Sequence, residues 1–202
     1  MKVVLLGAGG RAGSRILAEL AGRGHEVIAL SRTPEKIPVL DGVRTGAIDV
    51  RDGQAVVEAV HGADAVINAT KFKEIDTQGL IDAVTQAGVK RFISVGGAGS
   101  LWVAPGVREM DGPGFPDFVK PEASAGARLL DQLRASSLDW TFISPSRIFE
   151  PGQRTGVFRF GADDLLFDAD GKSWISMEDY AVALVDELER PAHVKKRFTV
   201  GY

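Results

Sequence analysis

The sequence predicts an α/β fold with a doubly wound parallel sheet, and three observations carry that prediction. Short β-branched runs alternate with segments of helical period from the first residues onward. The strand-like runs are nearly continuously apolar, as in a parallel sheet covered by helices on both faces. A glycine-rich stretch, Gly7-Ala8-Gly9-Gly10-Arg11-Ala12-Gly13, follows the first apolar run directly and opens the first helical segment.

Taken in order, residues 2–6 read as a buried strand. Lys2 precedes Val3-Val4-Leu5-Leu6, but the run stops at Gly7 and lacks the small-residue cleavage site of a signal peptide. A helix over 11–22 and a strand over 26–30 complete a βαβ unit. The alternation continues with a strand over 43–48, a helix over 53–60, a strand over 65–68, a helix over 75–87, a strand over 91–95, a helix over 122–135 and a strand over 140–144. Right-handed crossovers then give the doubly wound arrangement of a Rossmann fold. The rhythm breaks over 97–120, a stretch rich in glycine and proline that carries Trp102, Phe115 and Phe118; loops of this length are usually functional. Beyond Pro145, short strands are expected over 157–160, 165–168 and 172–175, with Asp170-Gly171 as a hairpin signal. Ser176 followed by Glu178 and Asp179 marks the start of a helix that Pro191 ends. Segments 97–120 and 145–176 are thus expected on the substrate side of one domain spanning residues 1–202, with the C-terminal part forming a small cap.

A chain of 202 residues with 45% hydrophobic and 25% charged content suits one such domain. Its net charge of -3 argues against a nucleic-acid-coating protein, which needs a concentrated basic surface. The one dense basic cluster, Lys195-Lys196-Arg197, reads as a solvated loop before a last strand. The absence of cysteine excludes disulfides, thiolate-metal sites and a cysteine nucleophile, and is compatible with a cytoplasmic location. His25, His61 and His193 lack ligand spacing, so no metal site is expected. No segment approaches the roughly twenty apolar residues of a membrane span, so no membrane association is expected.

The glycine turn satisfies both G-x-x-G-x-x-G, at Gly7, Gly10 and Gly13, and G-x-G-x-x-A, at Gly7, Gly9 and Ala12. A strand, turn and helix in this order set backbone N–H groups and a helix N-terminus against a pyrophosphate, so a nicotinamide dinucleotide is the expected cofactor. After the second strand stand Ser31-Arg32-Thr33, with no acidic residue to take the ribose hydroxyls. A guanidinium at Arg32, helped by Ser31, Thr33 and Arg11, suits a 2'-phosphate, so NADP(H) is expected over NAD(H). Asp49 and Val50 are candidates for the adenine, and Asn68, Ala69 and Thr70 for a cofactor ribose. Ser94, Val95 and Gly96 are expected beside the nicotinamide.

With these residues assembled, the chain resembles the atypical short-chain dehydrogenase/reductase superfamily. Within it the resemblance is to small NAD(P)H-binding proteins described as proposed NADH-flavin reductases or as NmrA-like. Leu138-Asp139-Trp140-Thr141-Phe142-Ile143-Ser144-Pro145 looks like that family's sixth-strand signature, and Phe149, Gly152 and residues 161–174 like its substrate-side segment. The superfamily's Tyr-x-x-x-Lys pair is missing: Leu184 stands four residues after Tyr180, Tyr202 is the last residue, and Glu122 and Gly126 occupy the matching positions. The family's serine after the fifth strand falls near Gly97.

Hydride transfer to a flavin or another planar acceptor needs no such pair, since a flavin is its own electron sink. Trp102, Phe115, Phe118 and Phe149 are the candidate contacts for that acceptor. A non-catalytic NADP(H)-sensing regulator acting on a protein partner remains an alternative, as the NmrA-like resemblance implies. An isomerase or dehydratase using Glu122, Lys120 or Asp117 is a third.

Overall fold

The computed structural model describes all of residues 1–202. The strand-turn-helix signal at the start becomes β1 (Lys2–Leu6), α1 (Arg11–Gly22) and β2 (Glu26–Ser31), followed by β3 (Val43–Ala47). The alternation continues through α2 (Gly53–Val60), β4 (Ala65–Asn68), α3 (Thr77–Gln86) and β5 (Arg91–Val95). A short hairpin, β6 (Trp102–Ala104) and β7 (Val107–Arg108), precedes α4 (Lys120–Ala135) and β8 (Asp139–Pro145). The remainder is β9 (Ile148–Glu150), β10 (Arg159–Gly161), β11 (Trp174–Ser176), α5 (Met177–Glu189) and β12 (Lys196–Gly201).

The main sheet has eight strands in the order β10-β12-β8-β5-β4-β1-β2-β3. Its members pair in parallel except β10, which runs antiparallel on β12 at one edge. The order reverses at β1, the switch point of a doubly wound sheet. Alternate side chains of β1 enter opposite layers, which is why its run is apolar throughout. Val3 and Leu5 join a buried cluster with Ile16 and Leu17 of α1 and Leu184 and Leu188 of α5. Val4 and Leu6 join the cluster with Val56 of α2, Leu80 of α3 and Leu129 of α4 on the other face. No helix is long and apolar enough to cross a membrane.

The third helix starts at Thr77, two residues later than its period suggests, because the Asp76 carboxylate caps it by accepting from Gln78 N and Gly79 N, both at 3.1 Å. The strand expected over 165–168 is absent. The main chain there is drawn to the β6 hairpin instead: Trp102 N donates to Asp163 O and Leu165 N to Trp102 O, each at 2.9 Å. Asp170-Gly171 does form a turn, with Gly171 at φ +77° and Gly171 N donating to Asp168 O at 3.1 Å. It joins no hairpin, because the flanking strands leave in different directions, β10 onto β12 and β11 in parallel onto β9. The basic cluster also divides. Arg197 lies inside β12, buried, with its guanidinium on Asp163 at 2.7 Å and on Ser100 O and Oγ at 3.0 Å. That contact locks the loop after β5 to the segment before β11.

The helix start expected near Ser176 is tied into a polar knot. Ser176 Oγ accepts from Asp179 N at 3.0 Å, and the buried Asp179 carboxylate accepts from Thr155 N at 2.7 Å, Thr155 Oγ1 at 2.5 Å, Gly156 N at 2.8 Å and Tyr202 Oη at 2.6 Å. Burial opposes the charge on Asp179, but these hydrogen bonds outweigh it and hold its pKa below the ordinary value. A depressed folded pKa contributes stability that is present above the unfolded pKa and lost as pH falls through the folded one. Asp179→Asn is therefore expected to be less stable than the parent at neutral pH, with the gap narrowing on acidification. Urea midpoints measured from pH 7 down to about pH 3 check this; a gap independent of pH refutes it.

Candidate functional site

The glycine turn is shaped by packing that leaves no room for side chains. Gly7 sits at φ +83°, and a Cβ there would lie 2.6 Å from Ala69 O at the exit of β4. A Cβ on Gly13 would lie 2.1 Å from Gly7 O, so the first turn of α1 presses directly on the loop. Gly9 faces Ser31 Oγ, 3.2 Å from its would-be Cβ, and the Lys36 Cβ at 3.4 Å. Gly7 N and Ala8 N donate to Leu30 O and Gly10 N to Gly7 O, whereas the N–H groups of Gly9, Arg11, Ala12 and Gly13 find no acceptor in the protein. A cradle closed to Cβ atoms, with free N–H groups at a helix N-terminus, fits the pyrophosphate of a dinucleotide.

The exits of β2 and β4 flank that cradle. Asn68 is buried at the end of β4, donating to Ser94 Oγ at 3.3 Å and accepting from Thr70 Oγ1 at 2.6 Å, so it braces β4 against β5. Arg32 extends from the end of β2 to the loop after β4 and donates to Glu74 Oε2 at 2.7 Å. That hydrogen bond, with Lys71 alongside, holds the Glu74 carboxyl below its ordinary pKa. After β3, Asp49 is gripped by Arg51, whose hydrogen bonds lower its pKa to about 2. Arg32, Arg51 and Lys71 thus bring cations to one end of the crevice.

The other candidate residues are placed unevenly. Val50 is buried in the layer with α2, α3 and α4, so its side chain belongs to the core. Ser94 is buried on Asn68, Val95 is buried among the α1 and α5 contacts, and Gly96 is wedged so that a Cβ would meet Phe142 Cε1 at 2.5 Å. Their side-chain positions point into the fold, and the chain borders the crevice from Gly97 onward. The four aromatic candidates are not gathered. Phe115 lines a cleft; Trp102 lines a separate groove beside Phe167; Phe118 is 82% exposed; Phe149 packs on Tyr180 with ring centroids 4.7 Å apart.

The cleft beside Phe115 is a slot of about 180 Å³ between residues 97–100 after β5, the first two turns of α4, and Arg147 after β8. It opens at the same carboxyl-terminal edge of the sheet as the glycine cradle. Ligand pockets commonly enclose about 300–1,000 Å³, so this slot suits a thin group or the edge of a flat ring. Three residues dominate it that no local pattern singled out: Phe72, Glu109 and Arg147. The Phe72 ring lies 2.9 Å from the point where a Cβ on Gly126 would be, filling the space a lysine side chain would need. Glu122, the residue matched to the pair's tyrosine by the resemblance, accepts from Phe72 N at 2.8 Å and Lys73 N at 3.0 Å, and so pins the loop after β4. Neither tyrosine reaches the slot. Tyr180 is fully buried and donates to Ile143 O at 2.7 Å, with burial pushing its pKa up; Tyr202 donates to Asp179. Lys120 pairs with Asp117 on the outside. His25, buried, pairs with Glu189 and His193 with the buried Glu187, at separate places along α5.

Comparison with known proteins agrees with this geometry. The family model described as NAD(P)H-binding matches residues 7–191. The Bacillus subtilis protein YwnB is 39% identical over 211 residues, covering 99% of this chain and 98% of that protein. A proposed epimerase from Bacteroides thetaiotaomicron superposes with a TM-score of 0.93 at 44% identity, covering 100% of this chain and 96% of the other. A proposed NADH-flavin reductase from Streptococcus pneumoniae superposes with a TM-score of 0.86 at 34% identity, covering 100% and 99%. A cradle open only to backbone and phosphate, on a doubly wound sheet matched along nearly its whole length, places this chain in the NAD(P)H-binding family, of the atypical short-chain dehydrogenase/reductase type.

Proposed function

We propose that this chain is an NAD(P)H-dependent oxidoreductase that passes a hydride to a planar small-molecule acceptor, a flavin or a ring of similar shape, and prefers NADP(H). The observation that carries the reading is the slot: it lies at the same carboxyl-terminal sheet edge as the cradle and is lined by no tyrosine, histidine, lysine or cysteine. When bound, the reduced nicotinamide supplies a hydride, the one reactant these side chains do not provide. The free N–H groups of Gly9, Arg11, Ala12 and Gly13 would hold the pyrophosphate, and Ala69 and Thr70 would border the ribose path. Ser94 and Asn68 keep β4 and β5 in register beneath it. Reduction of an ordinary ketone requires a proton donor at the oxygen, and epimerisation a group that takes and returns a proton. A flavin needs neither, and the likeness to the Streptococcus pneumoniae protein supports the same choice.

The NADP(H) preference rests on Arg32. Its bond to Glu74 joins side chains 60% and 30% exposed, and such a pair contributes about 0–1 kcal/mol. A phosphate held by a guanidinium through charge-assisted hydrogen bonds contributes about 1.5–3 kcal/mol, enough to displace it. NADPH is therefore expected to bind roughly tenfold or more tightly than NADH, and Arg32→Ala to remove that margin. Equal affinities for both cofactors in the parent protein would sink the preference. NADPH oxidation with FMN, FAD, riboflavin and quinones, alongside cofactor titration, tests the activity. Flavin-dependent turnover is the expected result, whereas tight NADPH binding without turnover on any acceptor would point to a sensor that reports cofactor state to a protein partner.

A further inference from the structure

We propose that Arg147 is the anion anchor of the slot, meeting the negative charge that a flavin ring gains on accepting a hydride, and that Glu109 holds it in place. The inference rests on the reading of the slot as an acceptor site. Arg147 is the one cation lining the slot. Glu109, largely buried beneath it, takes two of its donors, accepting from Nε at 2.5 Å and Nη2 at 2.8 Å. A guanidinium has five N–H donors, so three remain for a second partner. The side chain is otherwise fixed by its backbone, whose N–H donates to Ser173 Oγ at 3.1 Å, and by the Phe167 ring, 5.6 Å from its Cζ.

The chemistry of the step requires such a charge. A hydride reaching N5 of an oxidised flavin forms an N–H bond while the C4–H bond of the reduced nicotinamide breaks, and both electrons travel with it. No proton is taken up, so the reduced ring carries a negative charge spread over N1 and the C2 carbonyl. The slot is lined by no tyrosine, histidine, lysine or cysteine that could neutralise the ring by giving it a proton, and Arg147, half-exposed at its mouth, sits where it can meet the charge. The carboxylate of Glu122 is an acceptor already engaged by two backbone N–H groups. Arg147 is the one charged donor lining the slot, and its two bonds to Glu109 hold it in place before the charge appears.

Riboflavin, which has no phosphate, isolates the ring in the test. Its oxidised and dithionite-reduced forms are titrated anaerobically, above the pH at which reduced N1 ionises, into the parent, Arg147→Met, Arg147→Lys and Glu109→Gln, with NADPH binding measured in parallel. The parent is expected to bind the reduced form about tenfold or more tightly than the oxidised form. Arg147→Met should erase that difference and lower kcat by a similar factor, with KM for oxidised riboflavin and the NADPH Kd within about twofold. Arg147→Lys should keep part of the preference, and Glu109→Gln, which loosens the hold on the guanidinium, should lower it by less than Arg147→Met does; a preference unchanged in Glu109→Gln removes Glu109 from the proposal. No preference in the parent, or a preference retained by Arg147→Met, overturns the proposal. So does a loss in Arg147→Met confined to FMN, which would assign Arg147 to the phosphate. Riboflavin turnover equal in parent and Arg147→Met overturns this inference alone, whereas no flavin binding or turnover by the parent overturns the acceptor reading with it.

Discussion

Gly7→Ala is expected to raise the Kd for NADPH by roughly a hundredfold or more and to lower stability by about 2–4 kcal/mol. Two costs combine at this residue. The backbone is at φ +83°, which an L-residue with a Cβ adopts only under strain, and that Cβ would stand 2.6 Å from Ala69 O. Either the turn or the β4 exit must move, and the N–H groups of Gly9 to Gly13 are carried off their common direction. Gly22→Ala is the control on the same helix, since nothing lies within 4 Å of its would-be Cβ. That change is expected to leave NADPH binding intact and to raise stability by about 0.5–1 kcal/mol. Calorimetric titration and thermal melts of both variants check the contrast. Binding by Gly7→Ala at parental strength would mean the cradle is not where the dinucleotide sits.

Glu187→Ala is expected to cost about 3–5 kcal/mol, a large share of the roughly 5–15 kcal/mol of a typical domain. The Glu187 carboxylate is nearly inaccessible and collects Arg91 Nη2 at 3.0 Å, His193 N at 3.0 Å, Ala192 N at 3.2 Å and the His193 ring at 2.8 Å. Burial opposes its charge, but the His193 ring and the two backbone N–H groups outweigh that and keep its pKa low. Burial pushes the Arg91 pKa down, and its Nε already lacks a partner. Truncating Glu187 would strand that cation and two backbone donors together. Replacing both charges by apolar groups, as in Arg91→Met with Glu187→Leu, should recover part of the loss, because a desolvated ion pair contributes little more than a well-packed apolar one. Arg91 opens β5 at the end opposite the cradle. NADPH affinity of the folded fraction should therefore not change. A loss below about 1 kcal/mol in denaturant unfolding would contradict the assignment of the pair as a structural tie.

How far the site could be read from the chain depended on how local its causes are. The cradle was legible because a turn between an apolar strand and a helix demands glycine at fixed spacing, and that demand is met within seven consecutive residues. Arg32 was legible for a related reason, as the first residue beyond a strand of predictable end. The slot was not. Arg147 and Glu109 are 38 positions apart, Phe72 and Gly126 more than 50, and no periodicity relates such pairs. The aromatic candidates show the same limit from the other side. Trp102, Phe115 and Phe118 share a loop in sequence, yet the β6 hairpin, the slot and solvent take them in different directions. Proximity along an irregular loop says little about where its side chains point.

By itself, the sequence determined the doubly wound sheet and the glycine cradle, since two-residue and 3.6-residue periods and glycine's freedom at positive φ act over a few residues. It also determined that no Tyr-x-x-x-Lys pair exists. Only the tertiary structure decided what stands in that pair's place. Packing put the Phe72 ring against Gly126, turned Glu122 onto the loop after β4, and set Arg147 on Glu109 across the mouth of the slot. Those contacts follow from how elements far apart in the chain fill a shared volume, and no stretch of sequence specifies that volume alone.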